Sequence, residues 1–397
     1  MFYYIPVLVM LILFLVVAGL GLIDRKKKRP LASLPALSFM IPCYNDFDSV
    51  EHTLNSIYDV CDSDMDVIVI DDGSTDGSGD KLAALQSRYG FILISNPSNI
   101  GKADALNKHF HLTRNEIVVF IDADVIVNRQ SLTDVIARLQ RRDVGAVSCP
   151  YRAANPGFIP LMQSIEYNML SFIKGAYNIF SAIALWGGFA AIKRQAFLDV
   201  GGFSASAITE DMDMAFKLNK YGWRVEQSFY PIFTTVPETF SQWFRQKMRW
   251  SSGGIQCFIR HYRVLAKNPL QILFLVSFCI FLLFSAINIW KHIFLLNDMI
   301  TFFNLSNKYE SLWRSLYLTH TVFDAVVMKD LRLRMALTLF SLPFVFPLVL
   351  AEKRYYLCFM VIPFSIIYIP AFSLVSVVGM LGYFRKRRSL QAGARAW

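Results

Sequence analysis

The chain has 397 residues, 54% of them hydrophobic and 15% aromatic, with a mean hydropathy of +0.39. That is too apolar for an ordinary water-soluble enzyme, yet the polar stretch from Pro30 to Pro269 is long enough for one sizeable globular domain. The formal charge is +10, and its densest basic runs, Arg25–Arg29 and Arg385–Arg388, each flank an apolar segment, which favours a membrane boundary over a nucleic-acid partner.

Phe2 to Ile23 is almost wholly apolar. About 22 helical residues span about 33 Å, enough to cross a hydrocarbon core. Charges follow this run rather than precede it, so it reads as an uncleaved anchor with its N-terminus outside. From Ala36 to Cys149 the pattern alternates. Apolar runs at Leu37–Ile41, Val67–Ile70, Phe91–Ile94 and Ile117–Ile121 predict buried strands, and Val50–Tyr58, Lys81–Tyr89 and Ala103–His111 predict helices between them. That order predicts an α/β domain with a mostly parallel sheet covered on both faces, and ligands at the carboxyl ends of the strands.

Chemistry-bearing residues fall at those ends. Pro42-Cys43-Tyr44-Asn45 follows the first strand, and Tyr44 can stack on a base. Asp71-Asp72-Gly73-Ser74 follows the second; its carboxylates can accept from a uracil N–H or ribose hydroxyls, although these are also turn residues. Asn99-Ile100-Gly101-Lys102 opens a helix with free N–H groups and a cation for phosphate, or is simply a helix start. Asp122-Ala123-Asp124 ends the fourth strand, where two carboxylates can hold a hard divalent cation beside a diphosphate. Unpaired, two like charges there would be costly, which argues against a packing role. Thr209-Glu210-Asp211 starts the helical pattern Met212–Tyr221, and its carboxylates suit either a general base or helix-dipole complementarity.

Pro237 to Tyr262 reads as a basic amphipathic helix. Phe240, Trp243, Phe244 and Met248 lie on one face, interleaved with Arg245, Lys247 and Arg249; a core helix of the soluble domain is the competing reading. Within it, Gln246, Arg249 and Trp250 place an amide, a fixed cation and an aromatic face in about one turn. That set suits a pyrophosphate and a sugar ring. Further apolar spans are predicted at Pro269–Leu296, Leu331–Leu350 and Leu357–Phe384, the last broken by Pro363 and Pro370. Three crossings would place Arg385–Arg388 outside, against the charge rule; a re-entrant first half of the last segment or a weak span near Leu316–Met328 repairs the count. The six cysteines lack CxxC spacing and read as reduced, and His109 and His111 read as surface residues.

Taken in order, these motifs resemble the inverting, membrane-embedded processive glycosyltransferases of family 2, which include cellulose, chitin, hyaluronan and poly-N-acetylglucosamine synthases. Their D, DxD, TED and QxxRW motifs correspond to Asp71–Asp72, Asp122–Asp124, Thr209–Asp211 and Gln246–Trp250. The runs Ile208–Asp213, Val236–Thr239, Phe189–Arg194 and Arg249–Gly254, with Trp223, look most like bacterial poly-β-1,6-N-acetylglucosamine synthases. Val147–Pro150 and Trp186–Gly188 depart from that pattern beside the sugar.

The resemblance implies a GT-A (Rossmann-like) cytosolic domain plus an α-helical transmembrane region. The layout it implies is an anchor at 1–24, the catalytic domain at 36–236, interface helices at 237–268, a transmembrane channel at 269–384 and a basic cytosolic tail at 385–397. Tyr44, Asp71, Asp72, Lys102 and Asp122 would hold a UDP-sugar; Asp124 with Asp122 would bind Mg²⁺ or Mn²⁺. Asp211, Glu210, Arg249, Trp250 and Gln246 would form the catalytic set, and the tail Ala394–Trp397 would lie near the nucleotide. The expected product is poly-β-1,6-N-acetylglucosamine, exported across the plasma (inner) membrane. Chitin-like, hyaluronan-like or glucan synthesis, transfer to a lipid acceptor, and a non-enzymatic channel or scaffold are the alternatives. Related synthases often work with a small membrane subunit, and the sequence leaves open whether this chain does.

Overall fold

The computed structural model describes residues 31–265, except 32, 62–64, 177, 179–180 and 182–183, together with 272, 345, 349 and 355–391. The chain divides into two compact units, Leu15–Ile272 with Gly379–Trp397, and Met1–Phe14 with Leu273–Val378.

In the first unit a seven-stranded sheet forms around β1 (Leu37–Cys43). β2 (Met65–Asp71), β3 (Ile92–Ser95), β4 (Ile117–Ile121), β6 (Val144–Ser148), β8 (Phe189–Lys193) and β9 (Arg224–Gln227) complete it in the order β3-β2-β1-β4-β8-β6-β9. β1 pairs in parallel with β2 and β4, and β2 with β3. β8 runs antiparallel between β4 and β6, so the sheet is mixed at that point rather than purely parallel. A second sheet joins β5 (Val125–Ile126), β10 (Ile232–Thr234) and β7 (Tyr151–Ala153).

The period-two alternation of β1 sends Leu37, Phe39 and Ile41 to one face and Met40 to the other. On the first face they meet Val50, Leu54 and Ile57 of α1 (Phe47–Val60) and Leu132, Val135 and Ile136 of α4 (Arg129–Leu139). On the second face Met40 joins Leu106 of α3 (Lys102–His109), with Met214 and Leu218 of α7 (Glu210–Lys220). α2 (Ser78–Tyr89) lies between β2 and β3, and α6 (Arg194–Asp199) follows β8. Four expected strands and three expected helices occur within a few residues of their predicted bounds. Both faces of the sheet are covered, as an αβ alternation requires.

Two long helices carry the rest of the site, α5 (Phe158–Ala176) and α8 (Phe240–Arg260). α8 begins with a capping box: Thr239 Oγ1 accepts from the Gln242 N–H, and Gln242 Oε1 accepts from the Thr239 N–H. Its burial departs from the expected amphipathic pattern. Trp243 is buried and Phe240 exposed, and Lys247, read from spacing as a polar-face residue, is wholly buried. The reason is a carboxylate 81 positions away: Lys247 Nζ lies 2.8 Å from Glu166 Oε1 of α5. His109 is likewise buried, not a surface histidine, because its Nε2 shares a hydrogen bond with Asn96 Oδ1.

In the second unit the chain runs through a 3₁₀ turn at Tyr355–Met360, a π turn at Phe364–Tyr368 and into the helix Ile369–Gln391. The π turn sits between Pro363 and Pro370, where missing N–H donors loosen the α ladder. Among the described residues no helix is long and apolar enough to cross a membrane. The predicted segment at 2–23, nearly all of 269–296 and 331–350, the basic run 25–29 and the tail 394–397 lie outside the described residues. Cys43, Cys61, Cys149, Cys257 and Cys358 are free thiols.

Candidate active site

The site forms where the ends of β4 and β8 meet the starts of α3 and α7. Gly101 caps α3 and Lys102 is its first residue. Lys102 Nζ lies 2.6 Å from Asp122 Oδ1 and 3.2 Å from Glu210 Oε1, and donates to the Gly187 carbonyl at 3.0 Å. Three sequence motifs that are 20 to 108 positions apart therefore converge on one ammonium. Burial opposes that charge, but Asp122 and Glu210 overcome it and hold the ammonium well above its ordinary range.

Asp122 and Asp124 flank the turn after β4. The Asp122 N–H donates to the Gly188 carbonyl at 2.9 Å, and Asp124 Oδ2 accepts from Thr234 Oγ1 at 3.1 Å. Burial, reinforced by Asp122, pushes the Asp124 carboxyl up to about 7. A buried carboxylate with a like charge beside it suits a divalent cation, whose charge relieves the repulsion. Among the described residues no third His, Cys, Asp or Glu completes an all-protein cage. The pair thus fits a cation whose other positions are filled by phosphate oxygens or water.

Glu210 and Asp211 open α7. The Thr209 side chain makes no cap hydrogen bond to α7; its hydroxyl lies against Cys257 Sγ at 3.6 Å. The two carboxylates diverge. Burial raises Glu210, but Lys102 and Arg249 outweigh it and hold its carboxyl below the ordinary range. Burial and the Glu210 charge push Asp211 up to about 6, against the pull of Lys174 and Lys102. Neighbouring carboxylates driven to different proton affinities by their surroundings are a mark of acid–base sites. Gly187 is needed beside them: a Cβ there would lie 2.9 Å from Asp211 Oδ2.

Tyr44 stands exposed at the tip of β1. Asp71 and Asp72 are buried and turned inward. Asp72 Oδ1 accepts from Asn96 Nδ2 at 2.9 Å and the Ile100 N–H at 3.1 Å, and its Oδ2 accepts from the Gly101 N–H at 2.8 Å. Asp71 Oδ1 accepts from the Ser74 N–H at 3.0 Å. Both act on the loops that carry the site. Arg249 is exposed and acts electrostatically on Glu210, while the Gln246 side-chain oxygen is buried with no hydrogen-bond partner among the described residues. Trp250 is half-buried, with Lys247 Nζ 4.0 Å from its ring centroid.

Sequence reasoning misses Tyr151, Lys174 and Glu166. The Tyr151 hydroxyl accepts from the Gly188 N–H. Lys174 ends α5 with its ammonium 4.0 Å from the Trp186 ring centroid, and burial brings it down to about 8. A lysine and a glutamate inside an otherwise uncharged helix are the available signal for Lys174 and Glu166.

Residues 38–201 match the family model described as Glycosyl transferase family 2. Over these residues the chain is similar to family 2 glycosyl transferases. The chain is 29% identical over 259 residues to a poly-β-1,6-N-acetyl-D-glucosamine synthase of Staphylococcus aureus (strain MSSA476), covering 63% of each chain. It is 28% identical over 247 residues to the synthase of that name from Staphylococcus epidermidis, covering 61% of this chain and 60% of that one. The match thus spans less than two thirds of these relatives' length. Among solved structures, the mannosyltransferase PcManGT from Pyrobaculum calidifontis, in complex with GDP-Man and Mn²⁺, superposes with a TM-score of 0.54 at 19% identity, over 95% of this chain and 99% of that one. At that identity the likeness concerns the fold, a GT-A α/β architecture.

Proposed function

We propose that the chain is an inverting glycosyltransferase that extends a β-linked polysaccharide from a UDP-sugar, with UDP-N-acetylglucosamine as donor and poly-β-1,6-N-acetylglucosamine as product. The observation that carries this reading is the convergence of Lys102, Asp122, Glu210 and Asp211 around Gly187. Support for the product comes from the name of the staphylococcal synthases.

Tyr44 stacks on the base, and Asp71 and Asp72 fix the loops around the nucleotide. Lys102 neutralises diphosphate oxygens. Asp122 and Asp124 would hold Mg²⁺ or Mn²⁺, which would supply positive charge to the leaving diphosphate. Asp211 takes the proton of the acceptor hydroxyl as that oxygen attacks the anomeric carbon. A single displacement inverts the centre. Glu210, paired with Lys102, keeps its charge and so raises the basicity of Asp211. Arg249 stabilises charge on the leaving group, Gln246 adds an amide to the same helical turn, and Trp250 supports the acceptor ring. The apolar segments anchor the chain in the plasma (inner) membrane with residues 36–236 in the cytoplasm, helices 237–268 at the interface, and spans within 269–384 conducting the polymer outward.

The test is incubation of the purified full chain with separate UDP-sugars and Mg²⁺ or Mn²⁺, followed by linkage-specific hydrolases. A polymer formed from UDP-N-acetylglucosamine and cleaved only by a β-1,6-specific enzyme is the expected result. Release of UDP without chain growth, or growth from UDP-glucose alone, overturns the product assignment. Polymer protected from glycosidase inside inverted vesicles is expected if the spans export it.

A further inference from the structure

Glu166 and Lys247 are both wholly buried, and their charged atoms meet at 2.8 Å. Burial lowers the proton affinity of Lys247 against the pull of Glu166. An ion pair so placed adds little net stability, because well-packed apolar side chains serve a core as well or better. Its position suggests another role. Lys247 and Trp250 are three residues apart on α8 and so share a face. The ammonium lies 4.0 Å from the Trp250 ring centroid and 5.1 Å from that of Tyr167, the residue after Glu166. Tyr167 and Trp250 are 6.2 Å apart, and Tyr167 meets Trp186 edge-on at 5.8 Å. Trp186 in turn precedes Gly187, which packs on Asp211. One cation thus joins α5 to the motif-bearing turn of α8. A shift of α8 by one residue, about 100° of rotation, would break the ion pair and swing Trp250 away together.

We propose that the Glu166–Lys247 pair is a positioning device that fixes the rotation of α8 and holds the Trp250 ring in the plane that supports the acceptor sugar. This rests on the reading of Trp250 given above. The two residues act through Trp250 and touch no reacting atom.

Removing one partner would leave a buried charge alone and disrupt the local fold, so the informative variant is Glu166→Gln with Lys247→Met. Two measurements on the full chain in detergent decide the matter. The first is elongation of a β-1,6-linked N-acetylglucosamine trisaccharide by UDP-N-acetylglucosamine. The double variant is expected to raise KM for the trisaccharide about 3- to 30-fold, the span of a desolvated cation–ring contact, with donor KM unchanged. Lys247→Arg, which keeps the charge and the ring contact, is expected to retain the low KM. The second is the fluorine resonance of Trp250 in protein labelled with 5-fluorotryptophan, assigned by its loss in Trp250→Phe. It is expected to shift and broaden in the double variant and to stay in place in Lys247→Arg. An unmoved Trp250 resonance overturns the proposal, as does an unchanged trisaccharide KM in an active double variant. Failure of the wild-type chain to elongate the trisaccharide would instead overturn the acceptor assignment, and the fluorine resonance would still judge the pair.

Discussion

The acidic pairs Asp71–Asp72, at the end of β2, and Glu210–Asp211, at the start of α7, are treated in opposite ways by their surroundings. The first pair is buried and supplied with donors from its own loops: Ser74, Asn96, Ile100 and Gly101. The second is crowded. Glu210 takes Lys102, and Asp211 is left beside a like charge and pushed up to about 6. Carboxylates saturated by main-chain donors hold a loop in shape; carboxylates forced apart in proton affinity are ready to move a proton. Both pairs are read from the sequence as ligand-facing, and only their partners separate them.

The largest expected effect sharpens the contrast at the crowded pair. Asp211→Asn is expected to lower turnover by about two to four orders of magnitude, with thermal unfolding unchanged, as for loss of a general base. Wild-type UDP release by that variant would remove Asp211 from its role. At the saturated pair the effect is expected on folding. Asp72→Ala leaves three donors without their acceptor and is expected to cost roughly 2–4 kcal/mol of stability, read as a lower unfolding midpoint. An intact midpoint with a raised donor KM would break the comparison and make Asp72 a direct ligand. Next is pH. A base must be unprotonated, and Asp211 protonates as pH falls through about 6, so kcat/KM is expected to decline below that pH and to level off above it. A flat profile between about pH 5 and 7 would speak for a different base. The smallest expected effect is at Gly187→Ala, whose added methyl would press on Asp211 Oδ2. Displacement of the carboxylate is expected to lower turnover about tenfold without unfolding, consistent with the sensitivity of rates to sub-ångström placement.

Much of the first half of the fold is legible because period and punctuation agree there. The apolar runs give way to Pro42, Asp71, Ser95 and Asp122, and each of the first four strands is predicted within a few residues. The antiparallel β8 and the three-stranded sheet are not legible, because β5, β7 and β10 are two or three residues long and their partners are remote in the chain. The order of the acidic motifs is visible, but not that Lys102 gathers them. Lys247 shows the limit of a helical wheel. Spacing assigns it to the polar side with Arg245 and Arg249, and only Glu166, on another helix, makes its burial tolerable. His109 misleads for the same reason, since Asn96 supplies its partner from across the fold.

Gly253 of α8 is buried against the side chain of Thr209, and a Cβ at that position would collide with it. The helix that carries Arg249 and Trp250 therefore rests on the residue that immediately precedes Glu210 and Asp211. A single hydrogen atom in place of a methyl sets how closely the two segments approach. Gauge and chemistry are thereby separated along the chain: the side chains at 210, 211, 249 and 250 are the proposed reagents, and position 253 supplies the spacing between them.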